Sequence, residues 1–194
     1  MVEGTDINTL IDNKIGSSTS ATAVISCRAY ALNTIGPNTG NFISNTDFPS
    51  GTDGNDENSF PYVIPPFELV EYNFGNAYST TTYKFTAPET GLYHVILNVS
   101  YQELFILDLL KEQITGVIIR KDRVRGDPSD TTSLNTKSLN TIIYLQSGEK
   151  VFTGLFYGEL YLGGFPGLGL TSTDNKEGGF IVHYLGPGDS TYTA

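Results

Sequence analysis

The segment TYKFTAPETGLYHVILNVSYQ, residues 82–102, decides the fold class of this chain. A short β-type run ends at Pro88, the residues ETG make a turn, and a long apolar run follows. Successive side chains of a strand point to opposite faces. One face of this strand holds Tyr93, Val95, Leu97, Val99 and Tyr101, and the other holds Leu92, His94, Ile96, Asn98 and Ser100. The first face suits a core, and the second is half apolar, so we expect another surface to cover it.

The same β-type pattern extends in both directions from this segment. The run ATAVISCRAYALN, residues 21–33, alternates and places one set of small or apolar residues on one face: Ala23, Ile25, Cys27 and Ala29. Further strands are predicted at 67–74, 78–88, 115–125 and 178–186, with two more around the SGEK turn within 137–162. The segment ELFILDLLKEQ, residues 103–113, is ambiguous, because its leucines have helical spacing while its other apolar residues spoil an amphipathic face. Many short strands separated by turns indicate an all-β sandwich or barrel.

The composition limits the classes of function. The chain has 194 residues, enough for one domain with its own core, and a net charge of −10 from 11 basic and 21 acidic residues. An acidic surface repels phosphate backbones and anionic lipids, so we expect no nucleic-acid partner. No segment approaches about 20 consecutive apolar residues, so we expect no membrane insertion. The single cysteine, Cys27, rules out an intramolecular disulfide, and the polar N-terminal residues lack the apolar centre of a signal peptide.

Three groups of residues resemble the motifs of one superfamily. A strand ending in F-x-x-P and followed by G-x-Y-x-V is matched by Phe85, Pro88, Gly91, Tyr93 and Val95. A later L-x-x-G-E-x-V segment is matched by Leu145, Gly148, Glu149 and Val151, and the last strand by Phe180, Ile181 and Tyr184. The chain thus resembles the heads of complement component one, subcomponent q, and of tumour necrosis factor, and CRAYALN (27–33) is similar to the first strand of bacterial and viral members. The resemblance covers residues 24–185, and the long loop 36–66 and segment 103–113 depart from it.

This resemblance implies an all-β jelly-roll β-sandwich of two antiparallel sheets that forms a homotrimer. In such heads the outer face of the strand equivalent to 91–102 meets two other subunits around a three-fold axis, and closed symmetry is usual for oligomers. The implied interface residues are Leu92, His94, Ile96 and Asn98. The alternative is a monomer in which segment 103–113 folds over this face. The head is expected to comprise residues 21–186, with a leader or stalk at 1–20 and a tail at 187–194.

The sequence carries weak signals of catalysis. Its two histidines, His94 and His183, lie within apolar strands, where an interface or core position is the commoner role. The sequence contains no nucleophile elbow, zinc-protease motif or phosphate-binding glycine loop, and Cys27 has the small apolar neighbours of a buried thiol. We therefore expect a protein without enzymatic activity. A carbohydrate-active jelly roll, with carboxylates brought together across strands, is the alternative.

The acidic run DGNDEN, residues 53–58, offers oxygen ligands for calcium at Asp53, Asp56 and Glu57. Asn58 and Ile64 stand where a calcium loop needs its glycine and its closing glutamate. We expect a solvated acidic loop and no cofactor, and the resemblance to heads that bind calcium between loops leaves that ion as the alternative.

The run RKDRVRGDPSD, residues 120–130, concentrates positive charge, with four of the 11 basic residues within six positions. Alternation places Lys121, Arg123 and Arg125 on one strand face, which suits an acidic protein or a sulfated or sialylated glycan. Residues 125–127 also form an Arg-Gly-Asp triplet that resembles an integrin-binding turn, and the loop GGFPGLGL, residues 163–170, adds two apolar side chains. The predicted receptor contacts are Arg123, Arg125, Gly126, Asp127, Phe165 and Leu168.

Together these features predict a trimeric recognition head of a viral or phage fibre or of a capsid surface protein, located on a virion or an extracellular surface. Its partners would be further copies of itself and a protein or glycan of the host surface, contacted through loops 36–66, 125–132 and 163–177. Two alternatives stay open. One is a cell-adhesion or cytokine-like ligand that uses the Arg-Gly-Asp turn, and the other is a purely structural capsid or decoration protein.

Overall fold

The structure, a computed structural model, describes residues 24–30, 42–44, 50–52, 61–101, 104–126, 135–157, 159–161 and 179–188. These residues form strands and turns without a helix, so the described part of the chain offers no helix that could cross a membrane. In chain order the strands are β1 Ser26–Tyr30, β2 Phe42–Ser44, β3 Ser50–Thr52, β4 Pro61–Val63, β5 Leu69–Phe74, β6 Tyr78–Ser79, β7 Lys84–Thr86, β8 Gly91–Tyr101, β9 Phe105–Glu112, β10 Ile118–Gly126, β11 Asn135–Leu145, β12 Lys150–Tyr157, β13 Glu159–Tyr161 and β14 Gly179–Gly186.

The strands form two antiparallel sheets with the core between them. Sheet A contains β5, β1, β14 and β8 side by side, and β11 pairs with β8 over its whole length. The short β13 pairs with the end of β8 and with β2. Sheet B has the order β10, β9, β12, β4 and β3, and the short β7 pairs with both β12 and β6. This two-sheet architecture is the predicted sandwich.

Strand β8 has the two faces that its sequence predicts. Its first face is buried in the core throughout, at Tyr93, Val95, Leu97, Val99 and Tyr101. The alternating segment at residues 24–30 does the same, because Ile25, Cys27 and Ala29 all lie in this core. The alternation of side chains along these two segments therefore predicted correctly which of their residues face the core.

The sequence-based alternative, a monomer in which segment 103–113 folds over the outward face of β8, is wrong. Residues 105–112 of this segment form strand β9, which lies in sheet B between β10 and β12 and not over the outward face of β8. Phe105, Leu107 and Leu109 point into the core, while Leu110 joins a second apolar cluster on the other side of the sheet. Both faces of β9 are buried, so its apolar run lacks the alternation that marks a half-exposed strand.

Two other predicted strands divide into shorter pieces. The segment 78–88 forms β6 and β7 around a tight turn in which Tyr83 has a φ of 56°. The segment 137–162 forms β11, β12 and β13, and its first two strands belong to different sheets. The SGEK turn therefore crosses from sheet A to sheet B and does not close a hairpin. The predicted closing strand is present as β14.

Candidate functional site

The predicted interface residues lie together on one side of sheet A. We call this side, turned away from the core, the outer face of sheet A. Leu92, His94, Ile96 and Asn98 of β8 are all half-buried there, although their neighbours along the strand are fully buried in the core. The pairing of β8 with β14 places His94 opposite His183 and Ile96 opposite Ile181. The prediction that these four residues share one surface is thus confirmed, whereas their contact with another subunit stays a prediction.

The two histidines form a cross-strand pair in the middle of this face. Their ring centroids are 6.4 Å apart. Nδ1 of His183 lies 2.7 Å from the hydroxyl oxygen of Ser26, and Nε2 of His94 lies 2.5 Å from Oδ1 of Asn140. Burial, and then the proximity of His94, lowers the pKa of His183 below its usual value. The neutral imidazole is therefore the form of His183 that this surface favours at physiological pH.

A row of rings continues from the histidine pair to the edge of the sheet. The ring of Tyr72 stacks on His183 at 6.5 Å and on Phe74 at 5.5 Å between centroids. These rings line a surface cleft of about 510 Å³, which is also lined by Val24, Ile25, Ser26, Tyr184, Leu185 and Gly186. Three of these side chains are more than half exposed, namely Val24 at 68%, Phe74 at 54% and Leu185 at 53%. Large apolar side chains concentrated in this way mark a surface that meets a partner.

A cluster of polar and charged side chains, formed by Arg28, Tyr30 and Glu71, lies beside the apolar part of this face. Glu71 of β5 is 3.5 Å from Nη1 of Arg28, and its Oε2 accepts a hydrogen bond from the hydroxyl of Tyr30. Burial, followed by the hydrogen bond to Glu71, raises the pKa of Tyr30 to about 12. The guanidinium of Arg28 also lies 5.0 Å from the centroid of the Tyr30 ring. Charge on this part of the face is therefore held within an internal network.

The basic strand β10 lies at the edge of the described sheet B. Two of its three arginines are organised by Asp108 of β9, whose side chain is completely buried. Arg123 donates from Nε to Oδ1 at 2.6 Å and from Nη2 to Oδ2 at 2.8 Å, and Nη1 of Arg120 lies 3.7 Å from Oδ2. A two-pronged contact of this kind fixes the orientation of the guanidinium.

The arrangement of β10 corrects one sequence-based expectation. Simple alternation placed Lys121 on the same face as Arg123 and Arg125. The pairing of β10 with β9 shifts register between Arg120 and Asp122, which leaves Lys121 as the extra residue of a bulge. A bulge resets the alternation, so Arg120 contacts the same Asp108 carboxylate as Arg123, although simple alternation placed it on the opposite face.

The remaining predicted contacts have mixed outcomes. Arg125 and Gly126 end strand β10, and Gly126 is buried against the rings of Phe105 and Tyr101. Asp127, Phe165 and Leu168 lie outside the described residues, as do the candidate calcium ligands Asp53, Asp56 and Glu57. Within the described ranges, no group of three or more histidine, cysteine or carboxylate side chains is placed to hold a metal ion.

Several residues of these sites were not found by sequence reasoning. Ser26 and Tyr72 reach His183, and Phe74 reaches Tyr72, because β1 pairs with β14 on one side and with β5 on the other. Asp108 stands inside an apolar run, and that position was its one available signal. A charged residue in such a run is rarely buried unless it is paired.

Comparison with known proteins places these features in context. The chain matches the family model of the C1q domain over residues 53–166. The globular domain of the zebrafish complement 1qA protein is similar over 86% of this chain and 98% of its own, with 14% identity and a TM-score of 0.49. Murine APRIL, crystallised at pH 5.0, is similar over 84% and 99%, with 10% identity and a TM-score of 0.53. Eiger TNF from S. frugiperda is similar over 89% and 99%, with 10% identity and a TM-score of 0.54.

The likeness to the last two structures shows the fold and confirms the predicted jelly-roll β-sandwich. No curated protein sequence matches the chain.

Proposed function

The chain belongs to the C1q domain family, and on this premise we propose that it is a non-enzymatic recognition head that assembles as a homotrimer and attaches a viral or phage fibre or capsid to a host surface. Domains of the C1q and tumour necrosis factor type are typically trimeric recognition or ligand modules. The homotrimer and the host target are the two parts of the proposal that family membership does not by itself establish. The outer face of sheet A supports the first part, and the basic edge of sheet B supports the second.

The observation that carries the trimer is the apolar content of the outer face of sheet A. Ile96, Ile142 and Ile181 lie on three neighbouring strands and are all half-buried, so each leaves apolar surface uncovered within the chain. Residues 105–112 of the segment 103–113, the internal cover that the sequence allowed, belong to the other sheet. An uncovered apolar surface of this kind is stabilised when copies of the chain cover it. A three-fold arrangement closes the assembly and leaves no such surface free.

A trimer gives weak recognition sites a collective effect. Each subunit presents one copy of the same contact surface, and the second and third contacts form from a tethered state at high effective concentration. Avidity of this type exceeds the affinity of one site without any new contact. Multivalent binding therefore suits an attachment head whose single sites are modest.

The proposed target contact includes the basic strand β10. Arg120, Lys121, Arg123 and Arg125 are all exposed at the edge of sheet B, in a protein whose net charge is −10. Asp108 accepts two hydrogen bonds from Arg123, so the orientation of this exposed guanidinium is defined. A second apolar cluster of sheet B lies beside it, and the Arg123 guanidinium is 5.9 Å from the ring centroid of Phe156. Fixed cations next to an aromatic ring fit an acidic protein loop or a sulfated or sialylated glycan.

The assembly is tested by measuring mass in solution. Light scattering behind a sizing column, over a dilution series, should give a species near three times 21.1 kDa. A monomer at every concentration would remove the trimer, and the avidity mechanism would fall with it.

A matched pair of variants locates the interface. Ile96→Glu places a charge on the outer face of sheet A and should give monomers with an unchanged circular dichroism spectrum. Ile114→Glu makes the same chemical change in the turn between β9 and β10, where Ile114 is 66% exposed, and should stay trimeric. If the two variants behave alike, the outer face of sheet A is not the interface.

The target contact is tested separately on the trimer. Binding to immobilised sulfated and sialylated glycans and to host cells should fall for the double variant Lys121→Glu, Arg125→Glu. Lys137→Glu is the control, because Lys137 is an exposed lysine on β11 of the other sheet. Equal loss in the control would indicate a nonspecific charge effect, and blank binding by the wild-type trimer would favour a purely structural capsid protein.

A further inference from the structure

The chain has two histidines, and the fold brings both to the same place. They come from β8 and β14, which are far apart in the sequence, and they are direct partners in the pairing of these strands. Both rings are half-buried on the outer face of sheet A, the surface that the proposed trimer covers. A histidine changes its charge between about pH 5 and pH 8, unlike other side chains with ordinary pKa values. The position of the pair therefore links the charge of this face to pH.

The hydrogen-bond partners of the pair are neutral. Ser26, which is buried, contacts Nδ1 of His183, and Asn140 contacts Nε2 of His94. The neighbouring strand β11 places an apolar side chain next to the pair, because Ile142 lies opposite His94. The hydroxyl of Ser26 can donate to or accept from a neutral imidazole, and the amide oxygen of Asn140 can accept from one. Neither partner therefore requires a protonated ring.

The titratable groups of the surrounding strands do not favour protonation either. On β1 and β5 these are Arg28, Tyr30, Glu71 and Tyr72, on β11 Tyr144, and on β14 Tyr184, whose ring packs inward on Tyr93. Glu71 is the carboxylate on the described strands of this face, and it contacts Arg28 and Tyr30. Protonating both histidines would therefore place two like charges about 6.4 Å apart.

We propose that the His94–His183 pair makes the trimer acid-labile, so that the assembly holds at neutral pH and dissociates as the pair becomes protonated. This inference rests on the proposed trimer. In the assembled state the face is covered, and covering a charged imidazole in an apolar interface is unfavourable. The separated subunits expose the pair to water and bind protons more readily.

The sign of the effect follows from proton linkage. The covered pair binds fewer protons than the exposed pair, so the stability of the trimer rises with pH. In the single subunit the pKa of His183 is itself lowered, so its share of the loss sets in below the ordinary histidine value. The assembly should therefore be fully stable above the ordinary histidine pKa of about 6.5 and lose stability as the pH falls below it.

The test measures mass by light scattering over a dilution series at about pH 7.5 and about pH 5. For the wild type, the concentration at half dissociation should rise by roughly tenfold or more in acid. The double variant His94→Gln, His183→Gln keeps polar groups in place and removes the titration, so its dissociation should be the same at both pH values. A wild-type trimer with equal stability at both values would overturn the inference while leaving the trimer intact.

Two other outcomes are equally decisive. If the double variant dissociates in acid as the wild type does, carboxylates elsewhere are responsible and the histidine pair is not the switch. A monomer at about pH 7.5 overturns the proposed trimer, and this inference with it. Should the double variant fail to fold, the imidazole proton shifts of the wild type provide a second measurement. Their titration must coincide with dissociation, and a titration without any change of mass would overturn the inference.

Discussion

The carboxylate of Asp108 is completely buried, and the guanidinium of Arg123 holds both of its oxygens, with Nε 2.6 Å from Oδ1 and Nη2 2.8 Å from Oδ2. This pair joins the central part of sheet B to its edge strand. A buried carboxylate is tolerated only when it is paired and hydrogen-bonded. The arginine that the sequence suggested as a receptor contact therefore also has a structural role.

Removing the guanidinium of Arg123 should lower the stability of the folded protein. Arg123→Met leaves the buried Asp108 carboxylate with Arg120 at 3.7 Å, and should cost about 3 kcal/mol because a buried charge loses its main partner. Lys121→Met changes an exposed side chain on the same strand and should stay within about 0.5 kcal/mol of wild type. Urea unfolding at neutral pH and one protein concentration measures both. Similar losses in the two variants would mean that Asp108 does not depend on Arg123.

The glycine of the G-x-Y motif has a steric explanation that predicts a second variant. A Cβ at Gly91 would lie 2.3 Å from the carbonyl oxygen of Gly186 and 2.6 Å from Cε2 of Tyr184. The first contact is with backbone and cannot be relieved by a side-chain rotation, so Gly91→Ala should cost about 3 kcal/mol.

Gly179 is the matched control for this substitution. A Cβ there would meet the ring of Tyr30 at 3.6 Å, an ordinary contact, so Gly179→Ala should change stability by less than about 0.5 kcal/mol. Thermal unfolding followed by circular dichroism compares the two variants. Equal melting temperatures would refute the steric role of Gly91.

The sequence was sufficient where one face of a strand is core and the other is not. The period of two in β8 identified Leu92, His94, Ile96 and Asn98 as a separate surface, and the structure places all four on it. It was insufficient for β9, because Leu109 and Leu110 are both buried, on opposite sides of sheet B. A strand without a polar face gives no periodic signal that separates it from a helix.

The parts of the sites that depend on register could not be predicted. His94 and His183 become neighbours through the pairing of β8 with β14, and no local pattern specifies which residues of two distant strands stand opposite each other. The bulge at Lys121 had no signal of its own, since it inserts one residue without a glycine or proline. Its effect is that Arg120, which simple alternation placed on the other face from Arg123, contacts the same Asp108 carboxylate.

The buried thiol of Cys27 should be unreactive in the folded protein. Its exposure is 0%, and burial raises its pKa to about 12. The thiolate is the reactive form, so modification at about pH 8 should proceed only through unfolding, at least about a thousandfold more slowly than in guanidinium chloride. The exposed variant Thr81→Cys is the control and should gain one rapidly reacting thiol. Fast reaction of the wild type would contradict the burial of Cys27.

Glu112 should contribute to stability in a pH-dependent way. Its oxygens lie 2.6 Å from Nζ of Lys84 and 2.5 Å from Nζ of Lys150. Burial opposes ionisation of this carboxyl, but the hydrogen bonds and charges of the two lysines outweigh it and lower the pKa. A lowered pKa in the folded state gives stability that is present above the ordinary glutamate value and is lost as the pH falls through the lowered one.

The variant Glu112→Gln measures this contribution. It should be about 1 kcal/mol less stable than wild type at about pH 7, because the pairs are partly screened by solvent. The difference should become smaller at about pH 3, where the wild-type carboxyl takes up its proton. A difference that is constant with pH would show that packing and not charge accounts for it.

The Arg-Gly-Asp triplet should not mediate adhesion to cells. Arg125 and Gly126 belong to strand β10, where they pair with Ile106 and Phe105. Gly126 is buried, and a Cβ there would lie 2.3 Å from the Phe105 ring and 2.5 Å from the Tyr101 ring, so close packing in the sandwich already explains this glycine. An adhesive triplet needs all three residues accessible to a receptor. The variant Asp127→Glu, which keeps the charge and alters its reach, should therefore leave adhesion unchanged, and a synthetic Arg-Gly-Asp peptide should not compete. Loss of adhesion in this variant, together with competition by the peptide, would instead favour the adhesion-ligand alternative over the attachment head.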